Sequence, residues 1–396
     1  MNNIINFLGK KKVLVKPCIP FGELEIDFLD SLSKDLMNDK NARGFPDIIS
    51  FAFWCRKKNL TSLKNKLNTE ETRIGLGCIF HITPSNVPLN FAYSFAFGLL
   101  TGNSNVVKLP SENFPQSKII CKSMSKITKK NKFKIIGKKN HFFKYNSTNT
   151  EITKNLSLKI DGRVVWGGDK TVEMVKNFKT KPRAKDIFFS DRYSFCIIKS
   201  EEIISAKSNH LRNLVNKFYN DTYFMDQNAC SSPHLIIWYG SKKQNILAKN
   251  KFWPKLLDVV KKKYSLEYSN VVDKYASLCE DAIEYNLGNN FQNYENLIYR
   301  VKIKKLNKNL DQFSNKFGYF YEFDCNNLEK IKHYITQKFQ TLSYIGMDKK
   351  MLLNFVVKNG LEGIDRIVPI GSSHNIGFIW DGYNIDKQLT RVIEVN

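Results

Sequence analysis

Three short segments carry residue types that can do chemistry together. The first is Ile82-Thr83-Pro84-Ser85-Asn86-Val87-Pro88, a polar turn after an apolar run. Proline fixes its backbone, and the Asn86 amide can donate a hydrogen bond to a nascent oxyanion. The second is Val106-Val107-Lys108-Leu109-Pro110-Ser111-Glu112, in which a lysine ends a β-rich stretch and can bond ribose hydroxyls or a phosphate. The third is Met225-Asp226-Gln227-Asn228-Ala229-Cys230-Ser231-Ser232-Pro233. Small neighbours leave room for a substrate to approach the Cys230 sulfur, and its backbone N–H can help bind an oxyanion. A cysteine in isolation is most often a small buried hydrophobe, and an Asn in a turn is ordinary. In combination the segments point to thioester chemistry at Cys230 followed by hydride transfer.

Three histidines bear on that reading. His234 lies four residues after the cysteine and could lower its pKa, although such a residue more often lines a strand. His81 lies in a core strand and reads as structural. His374, in Gly371-Ser372-Ser373-His374, could face the site, and nothing in the sequence decides it.

The elements that must position these groups follow from composition and pattern. The chain has 396 residues and 42% apolar content, enough for two or three domains. Mean hydropathy is −0.36, as in soluble proteins. Eight cysteines without a CxxC pair suggest neither a disulfide framework nor a zinc site, so no metal is expected. A reduced, cytoplasmic setting fits. No signal peptide is apparent, and the most apolar run, Val87 to Leu100, is too short for a membrane span of about 20 residues. The net charge of +25 would suit a polyanionic partner. However, the lysines are scattered and lack an interleaved aromatic motif, so they read as a solvated face rather than a nucleic-acid site.

Helices are expected between residues 20 and 70, then a buried strand over Ile74 to Thr83, a helix over Val87 to Leu100 capped near Gly102, and a strand over Asn105 to Leu109. A helix over Pro115 to Ile127, strands over Lys134 to Phe143 and Arg163 to Trp166, and a helix over Asp169 to Phe178 continue the alternation. Ile187 to Ile198 reads as strand and connection, Glu201 to Asn228 as mainly helical, and His234 to Tyr239 as a strand. Such alternation predicts a doubly wound parallel sheet. The first turn lacks GxGxxG.

Together these segments resemble the aldehyde dehydrogenase superfamily, and within it the LuxC branch of acyl-CoA reductases. The likeness runs from about residue 71 to 380. It is densest at HITPSNVPLNFAYSFAFGLLTGNSNVVKLPS, MDQNACSSP and DRIVPIGSSHNIGFIWDG. The resemblance implies an α/β chain: an aldehyde dehydrogenase-like, Rossmann-type parallel-sheet cofactor domain plus an α/β catalytic domain. On that reading residues 1–70 pack on a cofactor domain of 71–199. The catalytic domain is 200–370, and 371–396 is a return segment serving oligomerisation, in which Arg391 to Val395 could pair between subunits.

Carried over residue by residue, the resemblance makes Cys230 the acyl-accepting nucleophile and Asn86 the oxyanion asparagine. It places Lys108 on the cofactor's adenosine ribose, with Thr83, Pro84 and Ser85 beside it. Gly167, Gly168 and Asp169 fall at the second glycine turn. Phe317, before Gly318, borders the nicotinamide ribose. Asn228 and His234 stand beside the nucleophile as further candidates. The glutamate base of hydrolytic relatives is missing, since the matching strand reads Phe188-Phe189-Ser190-Asp191-Arg192. An oxidising enzyme must activate water to free its acyl-cysteine, whereas a reductase need not. Asn315 stands where a second family glutamate precedes the Phe-Gly turn.

The resemblance thus implies NADPH-dependent reduction of a long-chain fatty acyl thioester to the aldehyde, with release of CoA. The donor is acyl-CoA or an acyl-protein, and acyl-transferase and acyl-protein synthetase partners and a homo-oligomer are family traits. Cofactor choice turns on register: aligned on Lys108, Ser111 falls where NAD enzymes carry a glutamate, which tolerates NADPH. A shift of one residue puts Glu112 there and favours NADH, because a carboxylate facing a phosphate is costly. Two rival readings are an NAD(P)-dependent aldehyde dehydrogenase, and a basic protein that binds nucleic acid or acidic lipid.

Overall fold

The computed structural model describes residues 4–67, 71–85, 87–285, 287–306 and 309–395. The chain forms two compact units, Met1–Ser190 with Gly377–Asn396, and Asp191–Ile376. The second unit therefore begins about ten residues before the expected boundary at 199, and it includes the strand Tyr193–Lys199.

The first unit holds β1 (Ile5–Leu8), β2 (Arg73–Gly75), β3 (Cys78–Ile82), β4 (Ser104–Lys108), β5 (Asn140–Lys144), β6 (Gly162–Trp166) and β7 (Lys185–Phe189). Its main sheet runs β1-β5-β4-β3-β6-β7. All neighbours are parallel except the edge strand β1. Among the parallel strands the spatial order is third, second, first, fourth, fifth, which is the doubly wound arrangement. Its ligand crevice opens at the carboxyl ends of the strands where the order reverses, here between β3 and β6.

Local sequence explains the details. Every residue of β3, β4 and β6 is buried, as strands covered on both faces require. The helix after β3 spans Asn90–Leu100, three residues later than expected, because Val87 precedes Pro88 and is biased away from helical backbone. Gly102, at φ +81°, follows its last turn. The expected strand at Lys134 is instead a helix, Lys134–Lys139, followed by β5. Its buried residues, Ile136 and Lys139, lie three apart rather than alternating, and Asn140 Nδ2 donates to the Ile136 carbonyl at 2.7 Å.

A buried polar chain lies beneath the β3 turn. Trp166 Nε1 donates to Ser94 Oγ (3.0 Å), which meets His81 Nδ1 (2.7 Å). The opposite ring nitrogen of His81 meets Asn105 Oδ1 (2.9 Å), and Asn105 Nδ2 donates to Asn140 Oδ1 (2.7 Å). Because Trp166 Nε1 can only donate, the Ser94 hydroxyl is free to donate to His81 Nδ1, leaving the ring proton on Nε2. Burial holds the His81 pKa down to about 4, so the ring is neutral. Gly98 allows the close approach: a Cβ there would sit 2.0 Å from Asn105 Oδ1 and 2.8 Å from His81 Nε2.

The second unit holds β8 (Tyr193–Lys199), β9 (Pro233–Tyr239), β10 (Phe291–Tyr294), β11 (Ile298–Lys302), β12 (Tyr319–Cys325), β13 (Phe339–Ile345) and β14 (Arg366–Pro369). The order is β10-β11-β12-β9-β8-β13-β14, parallel apart from β10. Alternate residues feed two cores. Phe195, Ile197, Leu235 and Tyr321 join one, while Cys196, Ile198, Ile236 and Trp238 join the other with Phe218, Phe252 and Trp253. One charge pair is sealed inside. Arg300 donates to Glu322 Oε2 from Nη2 (2.8 Å) and Nε (3.1 Å), while Trp238 and Trp253 donate to Oε1.

The chain returns to the first unit through β15 (Ile379–Trp380), β16 (Tyr383–Asn384) and β17 (Thr390–Val392). β17 pairs antiparallel with β2, Thr390 opposite Gly75. The first residues of the terminal run, Arg391 and Val392, thus pair within the chain, where Arg73 Nε fixes the strand through Thr390 Oγ1 at 2.7 Å. Among the described residues no helix is long and apolar enough to cross a membrane.

Candidate active site

In the second unit the parallel strands bring their amino ends to one edge. Cys230 lies three residues before β9, Phe317 two before β12, Gln340 second in β13 and Arg366 first in β14. Cys230 is half-buried. Its sulfur accepts a hydrogen bond from Gln340 Nε2 at 3.3 Å, and its carbonyl accepts one from Ser194 Oγ at 2.6 Å. An N–H donor aimed at a sulfur stabilises the thiolate, which is the nucleophilic form. Gln340 is fully buried and its Oε1 accepts from Thr341 Oγ1. Arg366 Nη1 in turn donates to Thr341 Oγ1 and to the Ser373 carbonyl.

His374 enters the same cluster. Its Nδ1 lies 3.1 Å from Ser231 Oγ, next to the nucleophile, while its Nε2 is buried with no hydrogen-bond partner. Burial, then the Arg366 charge, holds its pKa down to about 4, so the ring is neutral. Asp221 fixes this segment by accepting from the Gly371 and Ser373 N–H groups and from Ser373 Oγ. Burial pushes the Asp221 pKa up to about 6 despite those donors.

Gln227 joins the nucleophile segment to the Phe317 turn. Its Oε1 accepts from the Gly318 and Tyr319 N–H groups (2.7 and 3.0 Å), and its Nε2 donates to the Pro233 and Tyr319 carbonyls. Phe317 N–H donates to the Asp226 carbonyl at 3.2 Å. Asp226, Gln227 and Phe317 all hold positive φ, at 53°, 56° and 62°. Such left-handed backbone persists only where the surroundings impose it. Gly318 sits at φ +80°, where a Cβ would meet the Leu297 carbonyl at 2.4 Å.

His234 is elsewhere committed. Its Nδ1 donates to the Asn315 carbonyl at 3.0 Å and its ring stacks on Tyr193. Burial holds its pKa down to about 4, so it supplies no positive charge to Cys230. Asn315 turns its amide to Tyr321 Oη and Asp281 Oδ2, into the core. Asn228 is exposed.

In the first unit the candidate cofactor residues Thr83, Lys108 and Gly167 lie at or just after the carboxyl ends of β3, β4 and β6. Thr83 Oγ1 donates to the Lys108 carbonyl (2.7 Å), tying the β3 and β4 ends together, and Pro84 and Ser85 follow. Asn86 lies outside the described residues. Lys108 is 7% exposed and lies over the Tyr145 ring at 5.1 Å, with no acceptor for its ammonium among the described residues. Burial lowers its pKa. Ser111 Oγ is buried and unpartnered, whereas Glu112 is exposed and its carbonyl accepts from Lys144 Nζ. Gly167 and Gly168 lead from β6 into the helix Asp169–Lys176. A helix N-terminus attracts phosphate, but the Asp169 carboxylate repels it, so backbone N–H groups are the better partners there. The orphaned Ser111 hydroxyl and the unpaired buried lysine fit a nucleotide's sugar and phosphate. Among the described residues no three His, Cys, Asp or Glu side chains form a metal-binding group.

The fold defines the class first. It is similar to aldehyde dehydrogenase 21 from Physcomitrella patens (TM-score 0.64, 12% identity, 94% of this chain and 86% of that one). It is likewise similar to a NAD-dependent benzaldehyde dehydrogenase from Corynebacterium glutamicum (TM-score 0.63, 12% identity, 94% and 85%). A third similar structure is proline utilization A from Bradyrhizobium japonicum (TM-score 0.63, 13% identity), of which this chain spans 43% while 94% of this chain is covered. The sequence then gives the family: the acyl-CoA reductase (LuxC) family matches residues 33–392, and the chain belongs to it. No curated protein matches the chain. The protein therefore combines an aldehyde dehydrogenase-like fold with membership of the acyl-CoA reductase family.

Proposed function

We propose that the protein reduces a long-chain fatty acyl thioester to the aldehyde, using NADPH and Cys230. The observation that carries this reading is the half-buried Cys230 sulfur with Gln340 Nε2 donating to it. Cys230 attacks the thioester carbon; a sulfur–carbon bond forms and the bond to the CoA sulfur breaks, the thiol proton leaving with CoA. NADPH, which Lys108 and Ser111 would hold, would supply the hydride for the acyl-cysteine. The Cys230 N–H serves as an oxyanion donor, and the family resemblance adds the Asn86 amide. A proton from solvent completes the thiohemiacetal; when its carbon–sulfur bond breaks, the aldehyde leaves and that proton returns Cys230 to its thiol.

Two features support reduction over hydrolytic oxidation. The residues from Phe188 to Arg192 supply no glutamate base. Moreover, the histidine nearest the nucleophile in sequence, His234, is bonded to a carbonyl and unable to activate water. NADPH is favoured because Ser111, not a carboxylate, offers the unpartnered group beside Lys108. Incubation with an alkyne-tagged acyl-CoA in the absence of nicotinamide tests the first step. A Cys230 acyl peptide is expected by mass spectrometry, and acyl label confined to other residues would refute it.

A further inference from the structure

Away from this site, a second sulfur is built into a reactive cluster. Cys18 belongs to the extended N-terminal segment, Glu25 to the helix Glu23–Asn38, and Lys139 ends the helix Lys134–Lys139. Lys139 is 2% exposed, yet its ammonium points at the Cys18 sulfur, 2.9 Å away. Glu25 Oε1 lies 3.7 Å from that sulfur and 3.8 Å from Lys139 Nζ, and Glu25 is itself buried. The Cys18 backbone is pinned on both sides: its N–H donates to the Gly102 carbonyl and its carbonyl accepts from the Gly75 N–H. Neither partner can easily leave, because the lysine is enclosed and the cysteine is bolted to two strand-end loops. Cys18 itself is only half-buried, which leaves a small oxidant a way in.

Peroxides oxidise a cysteine sulfur first to a sulfenic acid. The reactive group next to such a sulfenic acid is the Lys139 amine, at hydrogen-bond distance from the sulfur, not a second thiol. We propose that Cys18 and Lys139 form an oxidant-dependent covalent bridge in which one oxygen joins the sulfur to the lysine nitrogen. The first equivalent of hydrogen peroxide converts the thiol to a sulfenic acid and leaves as water. The second removes two electrons as the oxygen–nitrogen bond forms, so the thiol and the amine each give up one hydrogen. In sum, a thiol, an amine and two peroxides yield S–O–NH and three waters. Glu25 serves to accept the lysine proton. The bridge would staple the N-terminal segment to the helix before β5 and close a long loop, which restricts the unfolded chain.

The full-length protein is treated with hydrogen peroxide, its remaining thiols are alkylated, and its peptides are analysed by mass spectrometry. The expected product is a Cys18 peptide joined to a Lys139 peptide, heavier than their sum by one oxygen and lighter by two hydrogens. Dithiothreitol should release it, and Lys139→Arg should lack it while Cys279, an exposed thiol, oxidises normally in both. Peroxide should also raise the melting temperature of the parent protein and not that of Lys139→Arg. Recovery of Cys18 only as a free thiol or as a sulfur acid, with Lys139 unmodified, overturns the proposal whether or not the variants fold.

Discussion

Replacing Gln340 by methionine keeps the side chain's length and removes its amide. In the native protein Nε2 donates to the Cys230 sulfur at 3.3 Å from a fully buried position. A hydrogen bond to a charged group is worth about 1.5–3 kcal/mol. Losing it should lower the thiolate population at neutral pH by roughly ten- to a hundredfold, at about 1.4 kcal/mol per factor of ten. The assay is iodoacetamide alkylation of Cys230, followed peptide by peptide across pH 6 to 9, beside the same curve for exposed Cys279. Gln340→Met should slow Cys230 alkylation by that factor at pH 7 and shift its profile upward, leaving Cys279 unchanged. It should reduce kcat/KM for acyl-CoA in parallel. An unchanged Cys230 profile in a folded variant would refute the reasoning, because the contact would then do nothing for the nucleophile.

Other outcomes follow from the same structure. Glu322→Gln leaves Arg300 charged in a site where the pair is 5% and 4% exposed, and should cost about 3–5 kcal/mol in urea unfolding. Gly98→Ala drives a methyl into Asn105 and His81 and should cost about 1–3 kcal/mol. Lys108→Met should weaken NADPH binding about tenfold or more, read by nucleotide fluorescence, since a buried lysine meeting a phosphate is a charge-assisted contact. For pH, His81 is held down to about 4 from 6.5, so the unfolded chain binds its proton first. Stability should therefore fall as pH drops from about 6.5 to 4, by roughly 3 kcal/mol from His81 alone, and His81→Gln should flatten that slope in denaturant titrations at stepped pH.

Much of the architecture was legible in the chain because the strands near the site are continuous apolar runs. β3, β4, β6, β8 and β9 are all buried on both faces, and such runs read as parallel strands without any further signal. The segment at Lys134 misled because Ile135 and Ile136 favour a strand in isolation. Only the side-chain bond of Asn140 to the Ile136 carbonyl shows the helical turn. The intrachain partner of the C-terminal strand was not legible, since nothing local marks β2, some 300 residues earlier.

At the candidate site, Cys230 stands out in the sequence by its small neighbours, whereas the groups that surround it do not. Gln340 sits in Phe339-Gln340-Thr341-Leu342-Ser343, and polar residues inside an otherwise buried strand were the available clue. Asp221 and Gln227 work through backbone groups brought close only by folding, with Gln227 reaching Gly318 across 91 residues. His234 attracted attention by sequence proximity, yet on a strand its ring turns toward Tyr193 and the Asn315 carbonyl.

The most direct test mixes purified protein with a long-chain acyl-CoA and NADPH, or NADH in parallel. Loss of reduced nicotinamide and release of free CoA are followed together, with Cys230→Ala as control. The account predicts equal rates of the two, faster with NADPH, and neither in the control. Turnover that survives Cys230→Ala, or acid formation from aldehyde without CoA, would contradict it.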